Sequence, residues 1–199
     1  MIFLSPTNNA ITMPLPRHYL ITPNVDDETQ FLTSLENSLQ AGTRLMLLKA
    51  KGLSDEEYKA LAEKVIPLAH RHDCQVLLTG DPLRVTELGA DGLHLDSKAL
   101  AVCTQSPLPG YYLIAISGHS LDSLQKGASI GASFAVVSPI NYTAAHPDIT
   151  PLGWDGLSAI VEQLPIPVYA LGGVSADDES AAIEAGGQGV AGNKGYWKD

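Results

Sequence analysis

The sequence predicts a compact (β/α)8 TIM barrel with a truncated last helix, and three observations support this α/β fold. Short apolar runs alternate with longer stretches of helical period, which is typical of βα units. Glycines at Gly42, Gly89, Gly131 and Gly186 each follow a helical stretch and precede a strand, where a left-handed residue ends a helix. The 199 residues are few for this fold, which usually has about 250, so the last helix must be short. A doubly wound open sheet is the alternative.

The apolar runs place the eight strands along a single domain spanning residues 1–199. They are His18–Thr22, Arg44–Ala50, Gln75–Thr79, Gly92–Asp96, Tyr112–Ser117, Ser133–Ile140, Pro167–Gly172 and Gly187–Gly192. The first helix is predicted over Asp26–Gln40. The second starts at Ser54, where the spacing to Glu57 is typical of a capping box. Only Asn193 to Asp199 remain after the last strand.

Composition excludes several classes of protein. Lys plus Arg number 12 against 22 for Asp plus Glu, giving a net charge of −10, so neither nucleic acid nor an anionic membrane is an expected partner. No apolar run is long enough for a membrane span, and no signal peptide is evident, so a cytoplasmic location is predicted. Cys74 and Cys103 have no metal or redox spacing, which fits a reducing compartment.

Functional residues of such a barrel lie at the carboxyl ends of its strands. Lys49 and Lys51 are two residues apart at the end of the second strand, so period-two alternation sends both toward the barrel interior with Leu47. A single lysine there could extend its ammonium group to solvent. Two lysines on an inward face favour an anionic ligand, because burying unpaired cations is costly.

The loops after strands seven and eight resemble phosphate-binding loops. Gly172 and Gly173 precede Ser175 and the acidic start of a helix, so we expect the amides from Gly172 to Ser175 to bind phosphate. Asn193 and Lys194 supply the matching loop after the eighth strand. Two ordinary glycine turns are the alternative.

Histidines near strand ends are candidates for proton transfer. His119 follows Ser117-Gly118 at the end of the fifth strand, and an imidazole can act as acid or base near neutrality. A capping or packing role is the alternative, and His94 is a second, weaker candidate. The long loop after strand six adds Thr143 and His146, together with Tyr142, as candidate ligand contacts.

The order and spacing of these motifs resemble the thiamine phosphate synthase/TenI superfamily between His18 and Gly195. The matching segments are Leu-Leu-Lys49-Ala-Lys51, Leu-Leu-Thr79-Gly80, Gly-Ala-Asp-Gly-Leu-His94-Leu, Ser117-Gly-His119-Ser, Ser138-Pro-Ile, Pro151-Leu-Gly and Ala-Leu-Gly172-Gly173. The segments from His146 to Trp154 and from Val168 to Gly173 are most similar to the synthase-like domain that some bacteria attach to a Nudix hydrolase. The resemblance implies a compact (β/α)8 barrel.

The resemblance also implies where the chain departs from a synthase, which joins a pyrimidine pyrophosphate to a thiazole phosphate with Mg²⁺. The synthase residues that align with the chain in these motifs are largely replaced. The Gln-x-Arg-x-Lys pattern falls on Leu47, Lys49 and Lys51, the Asn-Asp pair on Thr79 and Gly80, the second metal aspartate on Ala99, and Thr-x-Thr-Lys on Thr143 to His146. We therefore predict no metal site, with Asp81 and Asp96 as the alternative ligands.

The TenI branch aromatises a thiazole carboxylate phosphate without a metal and uses a histidine that matches His119. The resemblance thus predicts a metal-independent tautomerase with no cofactor, whose partner is a phosphorylated thiazole or a similar heterocycle. His119 is the predicted catalytic residue. The predicted substrate-binding residues are Lys49, Lys51, Ser117, Thr143, His146, Gly172, Gly173, Asn193 and Lys194. A thiamine phosphate synthase that requires Mg²⁺ and a non-catalytic sensor are the alternatives, and a homodimer and a functional link to a Nudix hydrolase stay open.

Overall fold

A computed structural model describes residues 14–118, 120–144 and 147–198 of the chain. Eight parallel strands pair in sequence order and close into a barrel. The strands are β1 (His18–Ile21), β2 (Leu45–Leu47), β3 (Gln75–Leu78), β4 (Gly92–Leu95), β5 (Leu113–Gly118), β6 (Phe134–Val137), β7 (Val168–Ala170) and β8 (Gly189–Gly192). Because β8 pairs with β1, with Leu20 opposite Gly192, the predicted barrel is confirmed and the open sheet is excluded.

Seven helices follow the first seven strands. They are α1 (Glu28–Gln40), α2 (Asp55–His70), α3 (Pro82–Leu88), α4 (Ser97–Val102), α5 (Leu121–Ser129), α6 (Gly153–Val161) and α7 (Glu179–Glu184), the last preceded by a 3₁₀ turn over Ala176–Asp178. The predicted capping box of α2 is confirmed, since Ser54 N–H donates to Glu57 Oε2 at 2.8 Å and Glu57 N–H donates to Ser54 Oγ at 3.3 Å. The four glycines that follow helices all have positive φ angles, as predicted. Most strands are shorter than predicted, because their last residues leave the ladder for the loops.

Alternate residues of each strand fill the barrel interior. Tyr19, Phe134 and Tyr169 meet there, with ring centroids 5.1 to 5.8 Å apart. The Tyr169 hydroxyl donates to the Pro16 carbonyl at 2.5 Å, at the amino end of the barrel. Among the described residues the interior is therefore packed at that end, and a ligand would enter from the carboxyl ends of the strands, which we call the mouth.

The outward residues of the strands pack against the helices in one continuous core. In α2 one face packs against the strands, and its residues Leu61, Val65 and Leu68 are buried. Cys74 is buried in this layer, where burial raises the pKa of its thiol to about 12. Cys74 and Cys103 are both free thiols, as predicted. Within the described ranges, no helix has the length and apolar character needed to cross a membrane.

Up to residue 198, β8 is followed by a hydrogen-bonded turn, where the sequence predicted a short helix. The amides of Tyr196 and Trp197 both donate to the Asn193 carbonyl, at 3.0 and 2.8 Å. The Trp197 ring then packs on Phe31 of α1, with centroids 5.0 Å apart. This contact fixes the end of the chain beside α1.

Strand β4 depends on a close approach to β5 that only glycine permits. A Cβ added to Gly92 would lie 2.2 Å from the Leu113 carbonyl oxygen, whereas one added to Gly110 meets nothing within 4 Å. We expect Gly92→Ala to lower the free energy of unfolding by about 2 kcal/mol, because the two backbones must separate. Gly110→Ala is the matched control and should stay within about 0.5 kcal/mol of wild type. Urea titration of both variants measures this, and equal stabilities would contradict it.

Candidate functional site

The candidate site is a cleft of about 500 Å³ at the mouth. It is built from the carboxyl ends of β1, β2, β7 and β8 and the loops that follow them. Its lining residues are Ile21, Thr22, Pro23, Asn24, Lys49, Lys51, Leu171, Gly192 and Asn193. Another cleft, of about 330 Å³, lies between α1 and Trp197 and shares Pro23 and Asn24 with the main cleft. Asp26 and Asp27 line that second space, so it repels anions and is not the candidate site.

Lys49 and Lys51 line the same cleft, on the inward face that the alternation predicts. The buried Thr22 joins this end of β2 to β1, because Lys49 N–H donates to Thr22 Oγ1 at 2.9 Å and Thr22 N–H donates to the Leu47 carbonyl at 3.1 Å. Burial and the charge of Lys51 lower the pKa of Lys49, while the carboxylate of Asp96 opposes that shift. An anion between the two ammonium groups would relieve their repulsion.

A smaller cleft of about 250 Å³ adjoins the lysine pair on the β3 side. Arg84 of α3 lines it together with both lysines, so three cations border this part of the mouth. The Arg84 guanidinium lies 5.2 Å from the Tyr58 ring centroid and donates to the exposed Asp55 at 3.0 Å. The Tyr58 hydroxyl donates to the Leu48 carbonyl at 2.9 Å, which holds α2 against the end of β2.

The two glycines after β7 allow a close approach between loops. A Cβ at Gly172 would lie 2.9 Å from Pro139 Cα, and one at Gly173 would lie 2.4 Å from the Tyr142 carbonyl. Asn141 N–H donates to the Gly172 carbonyl at 2.9 Å, so the carbonyl side of this loop is occupied. Among the residues that the structure describes, none accepts a hydrogen bond from the Gly172 or Gly173 amide. These two amides remain available to a ligand.

The expected phosphate site does not extend to Ser175. Asp178 Oδ2 accepts from the Ser175 amide at 2.7 Å and from its hydroxyl at 3.2 Å, so a carboxylate of the chain itself occupies this helix start. Asn193 lines the main cleft, but Lys194 does not. Lys194 is exposed, and its carbonyl accepts from the Ala176 amide at 3.2 Å. Of the two residues predicted for the last loop, Asn193 therefore lines the cleft and Lys194 does not.

His94 lies in the barrel interior below the mouth, between two other polar side chains. Its Nδ1 is 2.9 Å from the Tyr19 hydroxyl and its Nε2 is 2.7 Å from Ser117 Oγ. Burial, with the charge of Lys49, lowers the pKa of His94 from 6.5 to about 4, although Asp96 acts in the opposite direction. The imidazole is therefore neutral at physiological pH, and it is not positioned as a freely titrating acid or base.

His119 and His146 lie outside the described residues, so their predicted roles stay predictions. The part of the β6 loop that is described carries Tyr142 and Thr143, neither of which lines the main cleft. Tyr142 is 67% exposed, which leaves its ring free of the core. The structure thus brings Lys49, Lys51 and Asn193 together in one cleft. The other described candidates do not line it, and they are Ser117, Thr143, Gly172, Gly173 and Lys194.

The residues at the positions that hold the metal ligands in a synthase do not fit Mg²⁺. Gly80 has a φ of +89°, a conformation that aspartate rarely adopts, and Ala99 lies inside α4. Asp81 Oδ1 accepts from the Leu83 amide at 2.9 Å and caps α3. Asp96 Oδ1 accepts from the amides of α4 at 2.9 and 3.0 Å. Throughout the described ranges, no group of three or more His, Cys, Asp or Glu side chains could hold a metal ion.

Comparison with known proteins assigns the chain to a family. The sequence model of the thiamine monophosphate synthase family matches residues 18–195. This chain belongs to the thiamine monophosphate synthase family. It is 33% identical over 180 residues to the putative thiamine-phosphate synthase 2 of Aquifex aeolicus, covering 90% of this chain and 97% of that protein. It is 27% identical over 168 residues to the thiamine-phosphate synthase of Bacteroides fragilis, covering 81% and 82%.

A solved structure of thiamine phosphate pyrophosphorylase from Pyrococcus furiosus has the same fold. It superposes with a TM-score of 0.71 at 21% identity, covering 88% of this chain and 84% of that one. The family assignment confirms the resemblance predicted from the motifs. The names of the relatives favour the transferase alternative over the tautomerase, for which they give no specific support.

Two parts of the mouth were missed by sequence reasoning. Pro23 and Asn24 line the main cleft, and their position directly after β1 could have indicated this. Arg84 lies within α3, three residues past its capping aspartate, where no strand-end pattern applies. The Tyr19 hydroxyl also escaped notice, because its partner on β4 lies across the barrel.

The lowered pKa of His94 makes the stability of the fold depend on pH. The unfolded chain binds a proton near pH 6.5 and the folded chain only near pH 4, so stability is complete above pH 6.5 and falls as the pH drops toward 4. We expect wild type to lose about 3 kcal/mol relative to His94→Gln over that range. Denaturant titrations of both proteins between pH 7.5 and 4 measure the difference. Parallel curves would show that the imidazole titrates equally in both states.

Proposed function

We propose that this member of the family binds a phosphorylated thiazole in the mouth and moves a proton on it without a metal ion. One observation supports this most directly. A cationic cleft occurs in a chain whose residues differ from those of a synthase at the positions of the metal ligands. Lys49 and Lys51 line the cleft, whereas Gly80 has a left-handed backbone and Ala99 lies inside a helix. Within the superfamily pattern, the TenI branch is the one that works without the metal.

The cleft supports binding of a ligand with two anionic groups. Its volume of about 500 Å³ is within the range of small-molecule sites. The phosphate would lie against the Gly172 and Gly173 amides and the Asn193 side chain, and a carboxylate would lie against Lys49 and Lys51. We also propose a cytoplasmic location for the protein.

The proposed reaction is an isomerisation, so its atoms balance without a co-reactant. A base removes a proton from a carbon beside the thiazole ring, the ring becomes aromatic, and the proton returns to another atom. By the resemblance, His119 is the group that carries this proton. The ammonium groups of Lys49 and Lys51 would stabilise the negative charge that develops when the proton leaves.

Formation of thiamine phosphate is the second candidate, and the names of the relatives favour it. In that reaction the thiazole phosphate attacks a pyrimidine and pyrophosphate leaves. Lys49, Lys51 and Arg84 would then bind the pyrophosphate, since all three line the cleft on the β3 side. The described residues offer no cluster of three or more His, Cys, Asp or Glu side chains for the Mg²⁺ that the synthases use, so the three cations would carry most of the charge of the pyrophosphate.

Two assays on the purified protein separate the candidates. We expect aromatisation of thiazole carboxylate phosphate, followed by NMR, to proceed in EDTA and to fall by roughly 10² to 10⁴ in His119→Asn. Asparagine cannot titrate, but it leaves the phosphate cleft in place, so phosphate affinity should not change. Coupling of pyrimidine pyrophosphate with thiazole phosphate at about 1 s⁻¹ or more would instead establish the transferase. Binding of thiazole phosphate with neither activity would identify a non-catalytic sensor.

The lysine pair can be tested by anion binding alone. We expect Lys49→Gln to weaken binding of inorganic phosphate by about tenfold, because it removes the less exposed of the two ammonium groups that line the cleft. Lys59→Gln, on the exposed face of α2, is the matched control and should not change the affinity. Isothermal titration calorimetry gives both constants. Equal losses in the two variants would mean that only net charge matters and that the cleft is not the anion site.

A further inference from the structure

A row of three hydrogen-bonded side chains leads from the packed interior of the barrel to its mouth. Tyr19 of β1 contacts His94 of β4, and His94 contacts Ser117 of β5. We propose that Tyr19 and His94 are positioning residues, which make the Ser117 hydroxyl a hydrogen-bond donor to an anionic oxygen of the ligand. The ligand part of this inference rests on the proposed binding of an anion in the mouth.

The direction of the first hydrogen bond follows from the burial of Tyr19. Its side chain is completely inaccessible to solvent, and burial raises the pKa of its hydroxyl, which therefore keeps its proton. Among the described residues, the one partner of this hydroxyl is His94 Nδ1, at 2.9 Å. If Nδ1 carried a hydrogen, the Tyr19 hydroxyl would have no acceptor, and an unsatisfied buried donor is costly. Tyr19 therefore donates to Nδ1.

The second hydrogen bond follows from the first. A neutral imidazole carries one N–H, and the lowered pKa of His94 keeps the ring neutral above about pH 4. With Nδ1 accepting from Tyr19, the hydrogen is on Nε2, which donates to Ser117 Oγ at 2.7 Å. The hydrogen bond from Tyr19 to His94 therefore determines that His94 donates to Ser117.

Ser117 is then left with a hydroxyl proton that points away from the imidazole. It lies on the inward face of β5 with Ala115, two residues nearer to the mouth, and it is half-buried. Its oxygen already accepts a hydrogen bond, which strengthens the hydroxyl as a donor. The charge of Lys49 lowers the pKa of His94, the hydrogen-bond partner of Ser117, so a cation also acts on this end of the row. A phosphate or carboxylate oxygen fits that combination.

The tautomer of His94 can be measured on the ligand-free wild-type protein. We expect ¹H–¹⁵N correlation spectra of the histidine rings to show a hydrogen on Nε2 of His94 and none on Nδ1 at pH 7. His94→Gln assigns the signals by their loss. A hydrogen on Nδ1 would overturn the proposal, because Ser117 would then donate to the imidazole. This measurement needs no ligand, so it stands even if the proposed function fails.

A double-mutant cycle tests the link to anion binding, with inorganic phosphate as the calorimetric probe. We expect Ser117→Ala to weaken phosphate binding by about tenfold and Tyr19→Phe by about threefold, since without Tyr19 the imidazole can accept from Ser117. In the Ser117→Ala background, Tyr19→Phe should have no further effect. Tyr169→Phe is the matched control, because that buried ring contacts Tyr19 but its hydroxyl bonds to Pro16 at the other end of the barrel.

The outcomes separate the positioning role of Tyr19 and His94 from the proposed binding of an anion in the mouth. An equal loss from Tyr19→Phe with and without Ser117 would mean that the ring acts on the fold as a whole, and the positioning role would be wrong. The same conclusion follows if Tyr169→Phe weakens phosphate binding as much as Tyr19→Phe does. If wild type binds no phosphate, the proposed function is wrong, and the His94 tautomer alone then decides the direction of the hydrogen bonds.

Discussion

Pairing between β1 and β8 is the interaction on which the rest of the structure depends. It places Leu20 opposite Gly192 and closes the sheet. Without closure, β1 and β8 would each have a free edge, and the lysines after β2 would not share a cleft with Asn193. Closure also creates the interior in which Tyr19 reaches β4 and β7 at once. The cationic mouth and the buried hydrogen-bonded row are both consequences of one ring of parallel strands.

The sequence predicts those parts of the fold that depend on local periodicity. The capping box at Ser54 and the shared cleft of Lys49 and Lys51 follow from spacings of three and two residues, and the barrel follows from the alternation of strands and helices. Contacts across the barrel could not be predicted in this way. Arg84 reaches the mouth only because it packs on Tyr58 from a neighbouring helix, and no pattern along the chain connects those two residues.

One feature of the last loops was accessible from the sequence and was still missed. The spacing of Ser175 and Asp178 is that of a capping box, and the structure shows Asp178 accepting from the Ser175 amide. Such a carboxylate competes with any anion for the same helix start. A glycine pair that precedes an acidic first turn therefore indicates an anion site with fewer available amides than a glycine pair alone would indicate. The displaced aspartate at Asp81 is a similar case, since a shift of one residue turns a candidate metal ligand into a helix cap.

The described residues after β8 hold one side of the cleft differently from the other units. In the first seven units a helix follows the strand, but after β8 the chain is fixed by a short turn and by the stacking of Trp197 on Phe31. A single aromatic contact and a few hydrogen bonds open locally at a lower free energy than a barrel strand does. Asn193 lies at the start of that turn and lines the cleft. Amide hydrogen exchange should therefore be faster in the turn after β8 than on the sides of the cleft that are followed by helices. Ligand binding would then order this turn at an entropic cost. Slower amide exchange of the turn in the bound state would show that ordering.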